Sequence, residues 1–256
     1  MENLEINVEK EVKLKSPILI EGLPGLGLVG KIATEHLIDE LKAEKLATLR
    51  STYFPPQVII QKDGTIKMMQ DEFYYWKAKE KNQKDLLFII GDHQGTTPEA
   101  HYHISSKVLD FAEMYKTKEI STLGGYGVGH LSKKPKVFGA ITHQKLKKPL
   151  KDIGVSFEKT GGGIVGAAGL LIGLGKERGM EGYCLMGETH GQIIDARSAK
   201  SVLGVLSKRL NIEINTKKLD KKAKETEKAI KRAQKLEKQK QAMNYPPEPE
   251  GQAYFR

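Results

Sequence analysis

Gly25-Leu26-Gly27-Leu28-Val29-Gly30 spells G-x-G-x-x-G. Between a strand and a helix, that spacing can seat a pyrophosphate on the helix N-terminus. Such a site also needs an acidic residue about 20 positions on, to hold a ribose. Leu46 to Ser51 carries none, Glu44 precedes it, and Pro24 stiffens the turn. The residues favour glycines that let a helix pack closely on a sheet, with an anion site as the alternative. Gly161-Gly162-Gly163, followed by Gly166, Gly169, Gly173 and Gly175, lacks the Gly-Lys-Ser/Thr ending of a phosphate loop, because Glu177 follows Lys176. These small residues are read as a close helix-packing surface, between subunits as one option. Glu188, His190 and Asp195 follow a short apolar strand, a place where acid–base chemistry is often built. No G-x-S-x-G nucleophile motif accompanies them, and Cys184 lies inside the strand. Asp195 or Ser198 is therefore expected to cap a helix, with Arg197 pairing locally. His93 beside Asp92, and His101 with His103, raise a metal site. Positions two apart face different sides of a helix, so no metal site is expected.

The elements that would carry these residues alternate. Strands are predicted at Pro17–Glu21, Leu46–Arg50, Leu86–Ile90, Glu119–Leu123, Val137–Thr142 and Gly182–Met186. Helices are predicted at Lys31–Leu41, from Pro98 to about Tyr115 with Thr97 as cap, at Ile164–Lys176 and at Ser198–Leu210. Lys62-Asp63-Gly64 between Val58–Ile60 and Thr65–Met68 signals a hairpin, and Phe73–Lys77 a further antiparallel strand. Residues 1 to 15 are polar and only loosely alternating. The pattern implies one α/β domain over residues 1–214, with a mixed, mostly parallel sheet covered on both faces.

The 256 residues carry a net charge of +10, but unevenly. In residues 216 to 240 ten Lys and one Arg stand against four acids, a net +7, and the other 231 residues carry +3. The basicity belongs to a segment. Leu219, Ala223, Thr226, Ile230 and Ala233 make a thin apolar stripe along it, which suits a docked or self-paired helix over 215–243 as well as a solvated one. Interspersed acids and the lack of aromatics argue against nucleic acid as its partner. Residues 244–256 hold three prolines and end in Tyr254-Phe255-Arg256, two aromatics on an extended linker. One cysteine excludes an internal disulfide. The longest apolar stretch, 162 to 175, is too short and Gly-broken to cross a membrane, and the polar start reads as no signal peptide. A cytoplasmic protein is expected.

Ser16-Pro17-Ile18-Leu19-Ile20-Glu21-Gly22-Leu23-Pro24 with the Gly turn and Lys31 resembles the opening signature of the proteasome assembly chaperone 2 family. Thr160–Leu171 and Met186–Gly191 with Asp195–Ala199 are similar to its second and third blocks. The resemblance implies a three-layer α/β/α sandwich like that of purine nucleoside phosphorylases, no catalysis, no cofactor and no use of ATP. It implies an archaeal-type, homo-oligomeric assembly chaperone or activator whose partners are the α subunits of the proteasome core particle. It also implies a role for the terminal residues. Activators end in a hydrophobic residue, a Tyr and a last residue of any type. Here Tyr254, Phe255 and Arg256 take those places, with a terminal carboxylate pairing with a Lys between neighbouring α subunits. Phe255 lacks the phenolic hydroxyl, a bond of about 1 kcal/mol. A helix over 216–242 reaches about 40 Å, and an extended 244–256 adds about as much. Two alternatives remain: a nucleotide- or nucleoside-binding enzyme built on Gly25–Gly30 and the Glu188–Asp195 loop, and nucleic-acid binding by the basic helix.

Overall fold

The structure is a computed structural model that describes residues 3–158, 161–228 and 232. Its elements in chain order are β1 (Leu4–Val8), β2 (Ile18–Gly22), α1 (Val29–Leu41), β3 (Glu44–Ser51), β4 (Val58–Ile60), β5 (Ile66–Met68), β6 (Asp71–Trp76), β7 (Leu86–Gly91), α2 (Pro98–Met114), β8 (Glu119–Gly127), β9 (Val137–Ile141), α3 (Lys147–Asp152), β10 (Val155–Ser156), α4 (Ala167–Glu177), β11 (Glu181–Thr189) and α5 (Ala196–Leu210). Nine strands form one sheet in the order β1-β3-β6-β7-β2-β8-β11-β9-β10, and β4–β5 is the separate hairpin that Asp63-Gly64 signals.

Apolar strands buried on both faces demand a layer of helices on each side. In β2, Ile18 and Ile20 face one core, shared with α1 and α5 through Leu37, Leu203 and Leu206. Leu19 faces the other, shared with α2 and α4 through Leu109, Phe111 and Leu171. The result is the expected three-layer α/β/α arrangement with a mixed sheet. The central strands β7, β2, β8 and β11 run parallel. The pairings of β1 with β3, β3 with β6, β6 with β7 and β11 with β9 are antiparallel. Parallel pairing recurs at one edge, between β9 and β10, so four of the eight strand pairings in the sheet are parallel and four antiparallel.

Three local differences from the sequence reading have physical causes. Residues 4–8, too polar to be assigned, form β1 by pairing with β3, and half-buried Leu4 and Ile6 alternate with exposed Glu5. The strand expected to end at Leu123 runs on through its glycines. β8 continues to Gly127 because β11 continues beside it in register to Thr189. Helix α4 begins at Ala167, since Gly166 has φ +89°, outside the helical region. The capping expectations hold: the Ala100 N–H donates to Thr97 Oγ1 at 3.2 Å and the Ser198 N–H to Asp195 Oδ1 at 2.9 Å.

Residues 217–228 are helical and docked. Leu219 and Ala223 are buried, and Leu219 joins the α1/α5 core. His36 Nε2 bonds the Asn215 carbonyl at 2.7 Å, and Lys200 pairs with Asp220 at 2.6 Å. Arg197 pairs with Glu227, thirty residues away and not locally. The apolar stripe expected beyond residue 228, at Ile230 and Ala233, lies outside the described side chains, as does the 244–256 segment.

Helix α1 meets the sheet through missing side chains. A Cβ on Gly30 would overlap the Leu123 carbonyl oxygen, which is backbone and cannot rotate away. Gly30→Ala should therefore cost at least about 2 kcal/mol, read as a fall in Tm. Gly204, in α5, has no atom within 4 Å of a would-be Cβ and no positive φ. Gly204→Ala should raise stability by about 0.5–1 kcal/mol. Denaturant melts of the two variants check both signs.

Candidate functional site

The Gly-rich turn is occupied by its own chain. Leu26–Leu28 makes a short 3-10 turn, with Gly27 at φ +61° and Leu28 at φ +52°. The Gly27 N–H donates to the Gly191 carbonyl at 3.1 Å, and the Leu28 N–H to the Gly25 carbonyl at 2.9 Å. The Asp195 N–H donates back to the Gly27 carbonyl at 2.9 Å. A Cβ on Gly27 would lie 2.6 Å from Thr189 Oγ1. The Gly27 N–H is thus directed at the 189–195 loop, and the Leu28 N–H back into the turn. The glycines serve close packing, the reading the residues favoured.

The structure separates the Glu188, His190 and Asp195 trio by role. Glu188 Oε2 accepts the Lys136 N–H at 3.0 Å. Asp195 is buried and caps α5. His190 Nδ1 is buried without a hydrogen-bond partner. His101 and His103 point apart, as their spacing requires: His103 stacks on Tyr53 with ring centroids 5.3 Å apart, while His101 lines a cleft. Among the described residues no group of three or more His, Cys, Asp or Glu is placed to hold a metal ion. No described helix is long and apolar enough to cross a membrane. Of the α4 glycines, Gly175 abuts Ile120 and Gly169 abuts the Ile164 carbonyl within the chain, while Gly173 is exposed with no atom within 4 Å of a would-be Cβ.

The cleft is the feature that sequence reasoning missed. It has a volume of about 660 Å³ and opens over the carboxyl ends of β2, β8 and β11, beside the start of α4. Its walls are mostly apolar, among them Leu23, Leu26, Leu123, Ile164 and Met186. Gln94 closes one side. Its Oε1 accepts the Ala167 N–H at 2.8 Å, and its Nε2 donates to the Pro24 carbonyl.

On the cleft floor sits Glu21, 1% exposed. Its Oε1 accepts the Leu23 N–H at 2.8 Å. Its Oε2 has no hydrogen-bond partner. Burial pushes the carboxyl up to about 8, and the backbone of Leu23 and of Leu123 offsets this only in part. Burial likewise raises the neighbouring Cys184 thiol to about 12 and lowers the His101 imidazole. Glu21 was legible as a lone carboxyl closing an otherwise apolar strand, Ile18-Leu19-Ile20. The docking candidates Tyr254, Phe255 and Arg256 lie outside the described residues.

A model of the PAC2 family matches residues 19–234. An uncharacterised protein of Methanocaldococcus jannaschii is 42% identical over 244 residues, covering 94% of this chain and 93% of that one. Among solved structures, Pyrococcus furiosus PbaB, an archaeal proteasome activator, is 44% identical with a TM-score of 0.87, covering 91% of this chain and 100% of that one. P. furiosus PbaA, an archaeal homologue of proteasome-assembly chaperone, is 26% identical with a TM-score of 0.76, covering 95% of this chain and 100% of that one.

The Glu21 carboxyl binds its proton more tightly in the folded chain than in the unfolded one. Its contribution to stability is therefore complete below about pH 4.5, the ordinary range, and is lost as pH rises through about 8. Glu21→Gln keeps the shape and cannot ionise. Its Tm should match that of the parent near pH 4.5 and exceed it by several degrees at pH 9. A parallel fall of both proteins across this window would show that Glu21 does not titrate there.

Proposed function

We propose that this chain, which belongs to the PAC2 family, is a non-enzymatic, ATP-independent proteasome activator that docks its C-terminal residues on the α ring of the proteasome core. The observation that carries the reading is the likeness to the P. furiosus activator over nearly the whole of both chains. Tyr254-Phe255-Arg256 supplies the docking chemistry. Two rings fill the apolar walls of a pocket between neighbouring α subunits, and the carboxylate of Arg256 pairs with a pocket Lys.

Two features of the body fit that role. The Gly27 and Leu28 N–H groups of the Gly-rich turn are engaged within the chain, which disfavours a phosphate cradle there. The helical segment 217–228 is pinned to α5 and α1 by Leu219, Lys200–Asp220, Arg197–Glu227 and Lys218–Glu40. Residues beyond it start from a fixed place on the body. Self-association multiplies the tails presented to one ring, and linked tails bind with avidity that a single tail lacks.

The test is fluorogenic peptide hydrolysis by a cognate core particle. The intact chain should stimulate it, and a variant lacking Tyr254 to Arg256 should not. One residue added after Arg256 should abolish stimulation as fully, because it displaces the carboxylate. Phe255→Tyr restores a hydroxyl worth about 1 kcal/mol, roughly fivefold in the concentration needed for half-stimulation. Equal stimulation by the truncated variant would sink the docking mechanism. Absence of co-sedimentation with the core would sink the partner.

A further inference from the structure

We infer that the cleft over β2, β8 and β11 is a binding site for a compact, uncharged small molecule that carries an amide-type edge, a carbonyl or ring-nitrogen acceptor beside an N–H donor. This goes beyond the proteasome reading and does not depend on it.

The volume, about 660 Å³, lies within the range of about 300–1,000 Å³ usual for small-molecule sites. The walls are apolar with few polar groups, the composition that such sites share. The decisive group is Glu21. A carboxyl at 1% exposure with one oxygen unpartnered costs stability unless something pairs with it. Glu21 is one of the residues that line the cleft. A second polar atom without a partner, His101 Nδ1, comes from α2 on another wall. Two elements remote in sequence, β2 and α2, thus bring unsatisfied polar atoms to one apolar chamber.

The ligand's charge follows from what surrounds it. None of the described residues lining the cleft is Lys or Arg, so no basic side chain of that kind balances an anion there. A cationic ligand would require an ionised Glu21, and burial favours its neutral form up to about pH 8. Two charges buried together rarely recover their desolvation cost. A neutral carboxyl presents an O–H donor and an acceptor side by side. A lactam or carboxamide edge presents the complement, and the pair closes with two parallel hydrogen bonds and no buried charge. The other titratable groups facing Glu21 across the cleft are His101 from α2, Cys184 from β11 and Tyr126 from β8. Burial holds His101 below its usual range and Cys184 near 12, so Glu21 is the group that changes charge between pH 7 and 9.5.

Four probes of one shape read the site: benzamide, benzamidine, benzoate and ethylbenzene. Each is titrated by ligand-observed NMR against the full chain and against Glu21→Gln and Glu21→Leu, with thermal melts to establish folding. Benzamide should bind best at pH 7 and about tenfold more weakly at pH 9.5. Glu21→Gln, which carries an amide edge of its own, should keep binding and lose the pH dependence. Glu21→Leu should lose about tenfold, one hydrogen-bonded pair. Benzamidine binding tightest would make this a cation site and overturn the proposal. Equal binding of all four probes would reduce the cleft to an unselective apolar void, and binding of none would remove the site.

Discussion

The contact between the start of α1 and the centre of the sheet is the constraint on which the rest of this structure hangs. Gly30 lies against the Leu123 carbonyl, and Gly22 lies against Thr34. At each point a missing side chain lets helix and sheet come closer than a Cβ permits. Because α1 is seated so deeply, the preceding turn must bend sharply, and Gly27 and Leu28 take left-handed backbone angles to do so. The bent turn then receives the 189–195 loop through the Gly27–Gly191 and Asp195–Gly27 hydrogen bonds. That loop sets the Asp195 cap and so the start of α5. A fingerprint that looks like a phosphate cradle is the keystone of a packing arrangement.

This explains which parts could be read in advance. Apolar runs such as Ile18–Ile20 and Leu86–Ile90 specify buried strands whatever surrounds them. Thr97-Pro98 specifies a helix start by local chemistry alone. β1 was not legible, because its residues become a strand only when β3 is there to pair with them. The extension of β8 through its glycines was not legible either, since it depends on β11 beside it. The cleft was the hardest feature. Its Gly-rich walls at 124–127 and 163–166 stood out as motifs, yet Glu21, Gln94 and His101 are brought together by topology, and no spacing announces it. The terminal aromatics are the opposite case, conspicuous by residue type and by sitting after a Pro-rich stretch.

Buried carboxyls recur at the carboxyl ends of the central strands. Asp71, fully buried, sits against Gly91 at the end of β7, and burial raises its pKa well above the ordinary value. Lys31, from α1, donates to the Gly91 carbonyl at 2.8 Å beside it. Glu21 ends β2 one strand away. These strand ends are polar at a cost in stability. The helical layers, in contrast, are conventionally amphipathic and carry the fold.

The sheet has two quite different edges, and neither invites another strand. At one end β10 is only two residues long. At the other, β1 carries Glu5, with Glu9 and Lys10 just beyond it and Lys10 bonded to Glu44 at 2.7 Å. A short rim and a charged rim both discourage backbone-to-backbone addition. Copies of this chain are thereby steered away from growing as continuous ribbons. Among the described residues, apolar side chains open to another contact stand out instead on the β4–β5 hairpin, where Val58, Ile60, Ile66 and Met68 are exposed.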